Sequence, residues 1–374
     1  MTLAPVILDT SRRTGEVRPF ADTDIPQVAR LHRSVFRPAR CDAAGLDAYR
    51  EYFTRVFLHK PSWRAALPSL VYQENDGRIA GFLGIVAREM TMKGQRLQAA
   101  ISSQFVADPS SRVGFVVVRL VKAFLEGPQD LSIADEATDT TRRIWEGLGG
   151  STSLLHSMYW TRPLRPARLV RSWLRNRRPL ASLAALTAPL IALADTIAAR
   201  AASSPFSRPA PRGVADELSE ETFLQHWPRL AGPGSLRADY DDRTVRWLME
   251  CARQRKVGGR LHATVIRHEE TILGWYIYHL NRDGGADVLQ IAATASSIQD
   301  VLDHLFHQAA RQHAVAVTGR LEPRFLQALS DNYCFFHRRG PWVLVHARRP
   351  DLVRCFENEN AIVSRLDGEW PLGF

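Results

Sequence analysis

The spacing of apolar residues near the start of the chain predicts a strand followed by two helices. Residues 16–20 alternate as a short strand does, and apolar side chains then return every three or four positions over residues 25–35 and again over 44–58. This spacing places them on one face of each helix. Pro61 and Pro68 end the second helix, because proline cannot continue an α-helical hydrogen-bond ladder.

An antiparallel hairpin is predicted next. Two apolar runs, residues 69–74 and 78–86, flank the turn Asn75-Asp-Gly77. An Asp-Gly turn between apolar strands is a strong local signal for a hairpin. A further strand over residues 97–107 then leads through a loop into an apolar helix over 116–125.

The following segments alternate between strand and helix patterns. They predict a strand over residues 129–134, a helix over 138–148 and a strand-like stretch over 151–160. Two glycines close the helix, as expected at a C-cap. We therefore expect Asp135 and Glu136 to lie just after a strand.

The second half of the chain repeats this order. Residues 261–267 and 271–278 restate the hairpin, a strand over 287–293 and a helix over 297–312 follow, and a final hairpin is predicted around Gly340-Pro341. The offset of about 190 residues exceeds the period of solenoid or propeller repeats, which indicates a duplicated domain. The aromatic end of the chain, from Ser364 onwards, is expected to pack against the protein.

A connector separates the two halves. Seven arginines lie between Arg162 and Arg178, and the apolar stretch 179–194 and the Pro/Ser-rich stretch 203–212 follow them. We expect three parts: a first domain over 1–162, a helical connector and linker over 163–212, and a second domain over 213–374.

The connector has two interpretations. Its apolar stretch, residues 179–194, is shorter than the roughly 20 residues that span a bilayer, so a transmembrane helix is not expected. It forms either a helix packed between the domains or at a dimer interface, or part of a basic segment, residues 162–202, that lies on an anionic membrane surface.

Composition and charge narrow the class of protein. The 374 residues are 45% hydrophobic and 24% charged, which excludes a disordered or disulfide-scaffold chain. The formal net charge of +10 would suit an anionic partner. However, only four of the 49 basic residues are lysines, a bias that reflects a GC-rich genome more often than a binding surface. We therefore expect no nucleic-acid partner.

Cysteine usage and the N-terminus favour a reduced, cytoplasmic setting. Cys41, Cys251, Cys334 and Cys355 lie far apart without a CxxC pair, so the sequence contains no zinc or redox motif. The N-terminus lacks the charged, apolar and cleavage-site order of a secretory signal, and export is not expected. The inner face of the membrane is the alternative location, if the connector binds lipid.

The order of these elements resembles the GNAT family, the GCN5-related N-acetyltransferases, in a tandem arrangement. The residues that carry the resemblance are Val17-Arg-Pro-Phe20, Gln104-Phe-Val-Ala-Asp-Pro109 with Ser111-Arg-Val-Gly-Phe-Val116, and Thr138 to Gly149. The resemblance implies an α/β (α+β) fold with two GNAT-like domains. Each would be a mixed, mostly antiparallel twisted sheet flanked by helices.

The resemblance also implies acetyl-CoA, or another acyl-CoA, as cosubstrate. In such a site the backbone N–H groups at a helix N-terminus hold the diphosphate, provided that no side chain blocks the approach. The residues expected against the cofactor are Phe105, Val106, Arg112, Val113, Gly114, Phe115, Val116, Thr138 and Arg142.

The chemistry needs a base and an acid. An amine is mostly ammonium at neutral pH and must lose a proton before it attacks a thioester, and Asp135 and Glu136 are the candidate bases. The family usually has a tyrosine where this chain has Trp145, whose indole N–H cannot protonate a thiolate. The candidate acids are therefore Tyr159, His156 or solvent.

The second copy lacks a phosphate loop. Only Thr294-Ala-Ser-Ser lies between its strand and helix, with neither glycine nor arginine. We expect a non-catalytic domain that serves dimerisation, giving a homodimer, or closes the acceptor pocket. The resemblance implies an N-acyltransferase that acts on a small-molecule amine. The alternatives are a degenerate ligand-binding or scaffold protein and a membrane-surface acyltransferase acting on a lipid or acyl-carrier substrate.

Overall fold

The computed structural model describes residues 15–36, 44–58, 67–166, 168, 211–255 and 259–373. The chain forms two compact units. Unit 1 comprises Met1–Val86 with Ser102–Pro128, and unit 2 comprises Ala87–Ile101 with Gln129–Phe374. The domain boundaries expected from the sequence stay a prediction, since most of the connector, including its apolar stretch 179–194, lies outside the described residues.

Unit 1 consists of helices and antiparallel strands. Its elements are β1 (Glu16–Pro19), α1 (Ile25–Phe36), α2 (Ala44–Phe53), β2 (Leu70–Gln73), the first part of β3 (Ile79–Met92), the last part of β4 (Gln95–Ala107), and α3 (Val113–Leu125). β1 pairs with β2, and β2 pairs with β3, in both cases antiparallel. The predicted hairpin around Asn75-Asp-Gly77 is thereby confirmed.

Aromatic side chains form the core of unit 1. The ring of Phe82 on β3 lies 5.1 Å from that of Phe20, 5.3 Å from that of Phe53 and 5.4 Å from that of Phe57. All three contacts are edge-on, the geometry that aromatic quadrupoles favour. These contacts join the strand that follows the hairpin turn to the early helices.

α3 packs unusually close to β3. A Cβ atom added at Gly81 would lie 2.6 Å from Val116 Cγ1 and 2.7 Å from Leu120 Cδ1. Only a residue without a side chain allows this approach. Gly81 therefore sets the depth at which the N-terminal half of α3 sits on the strand.

Unit 2 contains the rest of the chain. Its elements are β5 (Leu131–Ala137), α4 (Asp139–Gly147), β6 (Ser151–Ser153), β7 (Tyr159–Pro163), β8 (Val214–Glu217), α5 (Glu220–Ala231), β9 (Arg237–Ala238), α6 (Asp242–Gln254), β10 (Arg260–His268), β11 (Thr271–Leu280), β12 (Gly285–Ala293), α7 (Ile298–Arg311), β13 (Ala316–Arg320), α8 (Leu326–Asp331), β14 (Phe335–His337), β15 (Trp342–His346) and α9 (Pro350–Glu357). The predicted second hairpin is confirmed, because β10 and β11 pair antiparallel.

Two mixed sheets run through unit 2. In the first, β4 is parallel to β5 over Ala99–Ile101, β5 is antiparallel to β15, and β15 is antiparallel to β6. The second has the strand order β14-β7-β13-β12-β11-β10-β8, with one parallel pair, β12 and β13. Helices flank these mostly antiparallel sheets, as the fold class expected from the sequence requires.

The two sheets of unit 2 exchange strands. β7 follows β6 closely in sequence but pairs with β13 and β14, whereas β15 inserts between β5 and β6. The predicted hairpin around Gly340-Pro341 is therefore wrong. A Cβ atom at Gly340 would lie 2.4 Å from Tyr159 Cε2, so this glycine permits a close crossing between sheets instead of a hairpin turn.

Two local predictions also need correction. β5 continues to Ala137, because its backbone stays paired with β15 as far as Trp342 opposite Ala137. Asp135 and Glu136 consequently lie within the strand. His156 lies in the 3₁₀ turn Leu155–Ser157, which separates β6 from β7, and not on a strand.

Membrane contact through residues 162–202 stays a prediction, since most of this segment lies outside the described residues. In the part of the chain that the structure describes, no helix is long and apolar enough to cross a bilayer.

The contact at Gly81 can be tested by substitution. Gly81→Val should lower the free energy of unfolding by about 1–3 kcal/mol, because the new side chain overlaps Val116 and Leu120. Gly114→Ala on the same helix meets nothing within 4 Å and should change stability by less than about 1 kcal/mol. Urea denaturation measures both, and equal midpoints for the two variants would contradict the packing.

Candidate functional site

The turn before α3 is organised by Asp108. Its Oδ1 accepts hydrogen bonds from the backbone N–H of Ser110 at 2.8 Å and from its hydroxyl at 2.7 Å, and its carbonyl accepts one from the Ser111 hydroxyl at 2.7 Å. Arg78 forms an ion pair with the same carboxylate. Burial opposes ionisation, but the bonds from Ser110 and Arg78 prevail and lower the pKa of Asp108.

The N-terminus of α3 is open. Arg112, which precedes the helix, provides no side-chain cap. Val113, Gly114 and Phe115 are exposed, and a Cβ atom at Gly114 would meet nothing within 4 Å. The first turn of a helix carries a partial positive charge, so this end can accept an anion.

β4 is irregular where it approaches this turn. Gln104 has φ of +51°, in the left-handed region that non-glycine residues rarely adopt. Its Oε1 lies 2.7 Å from His32 Nε2 on α1. Phe105, which follows, is half-buried and Val106 is buried. Glutamine carries no sequence signal for this conformation, so the irregularity was not predictable.

Unit 2 contains a buried ion pair. Asp135 on β5 is fully buried, and its Oδ2 accepts a hydrogen bond from Arg320 Nη1 at 2.9 Å. Arg320 Nη2 donates to the Asp135 carbonyl at 2.7 Å. The other carboxylate oxygen, Oδ1, accepts from the backbone N–H of Glu369 at 2.8 Å. Every oxygen of Asp135 thus has a donor.

The C-terminal segment packs directly on this aspartate. A Cβ atom at Gly368 would lie 1.8 Å from Asp135 Oδ2, so only glycine fits. Next to it, Asp367 is also buried, accepts a hydrogen bond from Ser364 Oγ at 2.6 Å, and is bonded to the Tyr240 hydroxyl. Packing of the chain end, expected from the sequence, is confirmed for residues 364–372.

Glu136 differs from its neighbour. Its side chain is 24% exposed and lies 3.5 Å from Arg320 Nη2 and 3.8 Å from Arg365 Nη2. Burial, followed by the charge of Asp135, raises the pKa of Glu136. Glu136 therefore has a raised proton affinity and, unlike the fully buried Asp135, a route to solvent.

Trp370 anchors the arginines near Glu136. The Arg255 guanidinium lies 3.7 Å from the centre of its ring, and that of Arg365 lies 4.9 Å from it. Cations over an indole face are electrostatically stabilised. Burial and the neighbouring Arg365 lower the pKa of Arg255 to about 10. Sequence reasoning missed these arginines, because nothing local marks them.

The candidate acids have different surroundings. Tyr159 lies opposite Arg320 across β7 and β13, and its buried hydroxyl has no hydrogen-bond partner among the described residues. His156 is fully buried: its Nε2 bonds to the carbonyl of Ala361 at 3.0 Å and its Nδ1 to Ser153 Oγ at 2.8 Å. Burial lowers the pKa of His156 to about 4, which suits a structural histidine.

The helix start at Thr138 is confirmed. Its side chain caps α4 by accepting a hydrogen bond from the backbone N–H of Thr141 at 3.2 Å. Arg142 lies with its guanidinium 4.3 Å from the ring centre of Trp342. Trp145 is buried and packs as a core residue. Thus unit 2 brings together Asp135, Glu136 and the strand that carries Tyr159. The cofactor-binding roles expected from the sequence stay predictions.

Solved structures share this fold at low sequence identity. A protein from Enterococcus faecalis described as a probable N-acyltransferase has a TM-score of 0.56 and 9% identity, covering 89% of this chain and 72% of that one. GCN5-related N-acetyltransferases from Anabaena variabilis and Kribbella flavida have TM-scores of 0.55 and 0.52 at 13% and 14% identity. Each covers 88% of this chain, and the matches cover 72% and 71% of those chains. No family model and no curated protein matches the sequence.

The buried ion pair makes a testable contribution to stability. Arg320→Met should lower the free energy of unfolding by about 3–5 kcal/mol, because it leaves Asp135 as an unpaired buried charge. Arg349→Met, which removes an exposed pair with Asp351, is the matched control and should change stability little. Chemical denaturation distinguishes them, and similar losses in both variants would refute the role of the pair.

Proposed function

We propose that this chain, which has the fold of the GCN5-related N-acetyltransferases, transfers an acyl group from acyl-CoA to an amine. The observation that carries the proposal is the open N-terminus of α3, which follows the hydrogen-bonded Asp108 turn and has free space at Gly114. The names of the similar structures support the same class of reaction. Acetyl-CoA is the simplest donor of this class.

In unit 1 the diphosphate of the donor would lie at the first turn of α3. The helix dipole there favours a negative charge, and the free space at Gly114 leaves the backbone N–H of that residue accessible. The N–H groups of Val113 and Phe115 already bond to the carbonyls of Ser111 and Arg112. Arg112 is exposed and adds a cation at the same end. Phe105 and Val106 extend the site along β4. The hydrogen bonds that Asp108 accepts define the conformation of the turn beside this site.

In the reaction, the amine nitrogen attacks the thioester carbonyl, the C–N bond forms and the C–S bond breaks. The amine loses a proton and the departing thiolate gains one. We assign the base to Glu136, since Asp135 is held by Arg320 and Glu369. Tyr159 is the favoured acid, because its hydroxyl has no hydrogen-bond acceptor among the described residues.

Binding without catalysis is the second candidate function. It is favoured by Trp145, which is buried where a tyrosine acid is common in the resembled family.

The loop before α7, Thr294-Ala-Ser-Ser, supports a single ligand per chain. It has neither glycine nor arginine, and Ser297 Oγ accepts a hydrogen bond from the backbone N–H of Thr294 at 3.1 Å, which closes the loop on itself before α7 begins.

Calorimetric titration with acetyl-CoA tests the proposed donor site. One molecule should bind per chain, and Gly114→Glu should abolish binding, because it places a negative charge in the open space before α3. Gly147→Glu introduces the same side chain at another open helical position and should bind normally. Unchanged affinity in Gly114→Glu would contradict the site.

The role of Glu136 predicts a pH dependence. Since burial raises its pKa, kcat/KM should rise with pH through an acidic limb above the ordinary glutamate value of about 4.3. Glu136→Gln should lower kcat/KM roughly 100-fold or more and remove that limb. Glu270→Gln, in the exposed turn between β10 and β11, should retain both the rate and the limb. Persistence of the limb in Glu136→Gln would assign the base elsewhere.

A further inference from the structure

α3 is unusually rich in apolar residues for a helix that is partly exposed to solvent. Its 13 residues include only two charged ones, Arg119 and Lys122. A helix that is apolar all round is normally buried. Here one side is buried against the strands, but Val113, Phe115 and Val118 are 37%, 41% and 38% exposed.

The same face carries positive charge. Arg112 and Arg119 are exposed, and neither forms an ion pair with another described residue. Lys122 lies 3.7 Å from Glu126 and is balanced by it. The partial positive charge of the helix N-terminus adds to the two unbalanced arginines. The exposed face therefore combines apolar side chains with net positive charge.

We propose that this face of α3, formed by Arg112, Phe115, Val118 and Arg119, docks on an anionic lipid surface. Its charge complements phosphate headgroups, and valine and phenylalanine side chains can enter the boundary between headgroups and acyl chains. The exposed residues belong to one helix, and a bilayer needs no shape complementarity to accept them. The surface goes beyond the proposed acyl transfer and does not depend on it.

The proposed surface overlaps the proposed donor site at the first turn of α3, so the experiment must separate them. Arg112, Val113 and Phe115 belong to the first turn of α3, where the diphosphate would bind. Val118 and Arg119 lie one turn further along and have no place in the donor site. Substitutions there change the lipid surface alone.

Vesicle flotation tests the proposal. The full chain should float at low salt with vesicles of phosphatidylcholine and phosphatidylglycerol, and should bind far less to phosphatidylcholine alone or at high salt. Arg119→Glu removes one positive charge from the face and adds one negative charge, and this change of two units should weaken binding roughly 30-fold. Val118→Ser should weaken it by a smaller factor through lost apolar contact. Arg282→Glu makes the same charge change at an exposed position between β11 and β12 and is the matched control.

Two results would overturn the proposal. One is failure of the chain to bind anionic vesicles at low salt, which would leave the face to a protein partner. The other is an equal loss of binding in Arg119→Glu and Arg282→Glu, which would place lipid contact on another surface. Titration of Arg119→Glu with acetyl-CoA distinguishes this failure from that of the donor site, because its affinity for the donor should match that of the unsubstituted chain.

Discussion

The buried ion pair between Asp135 and Arg320 is the interaction on which the organisation of unit 2 depends. Asp135 lies on β5 of one sheet and Arg320 on β13 of the other, so the pair fixes the two sheets against each other. The remaining oxygen of Asp135 binds the N–H of Glu369, which adds the C-terminal segment to the same point. The exchange of β7 and β15 between the sheets secures this arrangement through backbone hydrogen bonds.

In this arrangement the adjacent residues Asp135 and Glu136 have different roles. Every oxygen of Asp135 accepts a hydrogen bond, so this residue has a structural role. Glu136, the next residue on the strand, keeps partial exposure, and the charge of the anchored Asp135 adds to burial in favouring its protonated form. A group with raised proton affinity and access to solvent is suited to proton transfer. The structural role of one carboxylate thus tunes the proposed chemical role of the other.

Local patterns predicted much of the fold. They predicted the hairpin before β3, the hairpin between β10 and β11, and the cap at Thr138, because turn residues and caps act over a few positions. They could not predict the crossing at Gly340, since a Gly-Pro pair has the same pattern in a hairpin and in a link between sheets. The pairing of Arg320 with Asp135 could not be predicted either, because the two residues lie 185 positions apart and only the folded sheets bring them together. The candidate acids were identified by residue type, but their different environments depend on such distant contacts.

The proposed activity is the transfer of an acyl group from a CoA thioester to an amine. The most direct measurement follows free-thiol release from acetyl-CoA across a panel of amines, with the acetylated product identified by mass spectrometry. If the chain catalyses this transfer, thiol release should require both the protein and one class of amine, and one acetylated product should form per thiol. Saturable binding of acetyl-CoA with no amine-dependent thiol release across the panel would contradict it and favour a binding protein on the same fold.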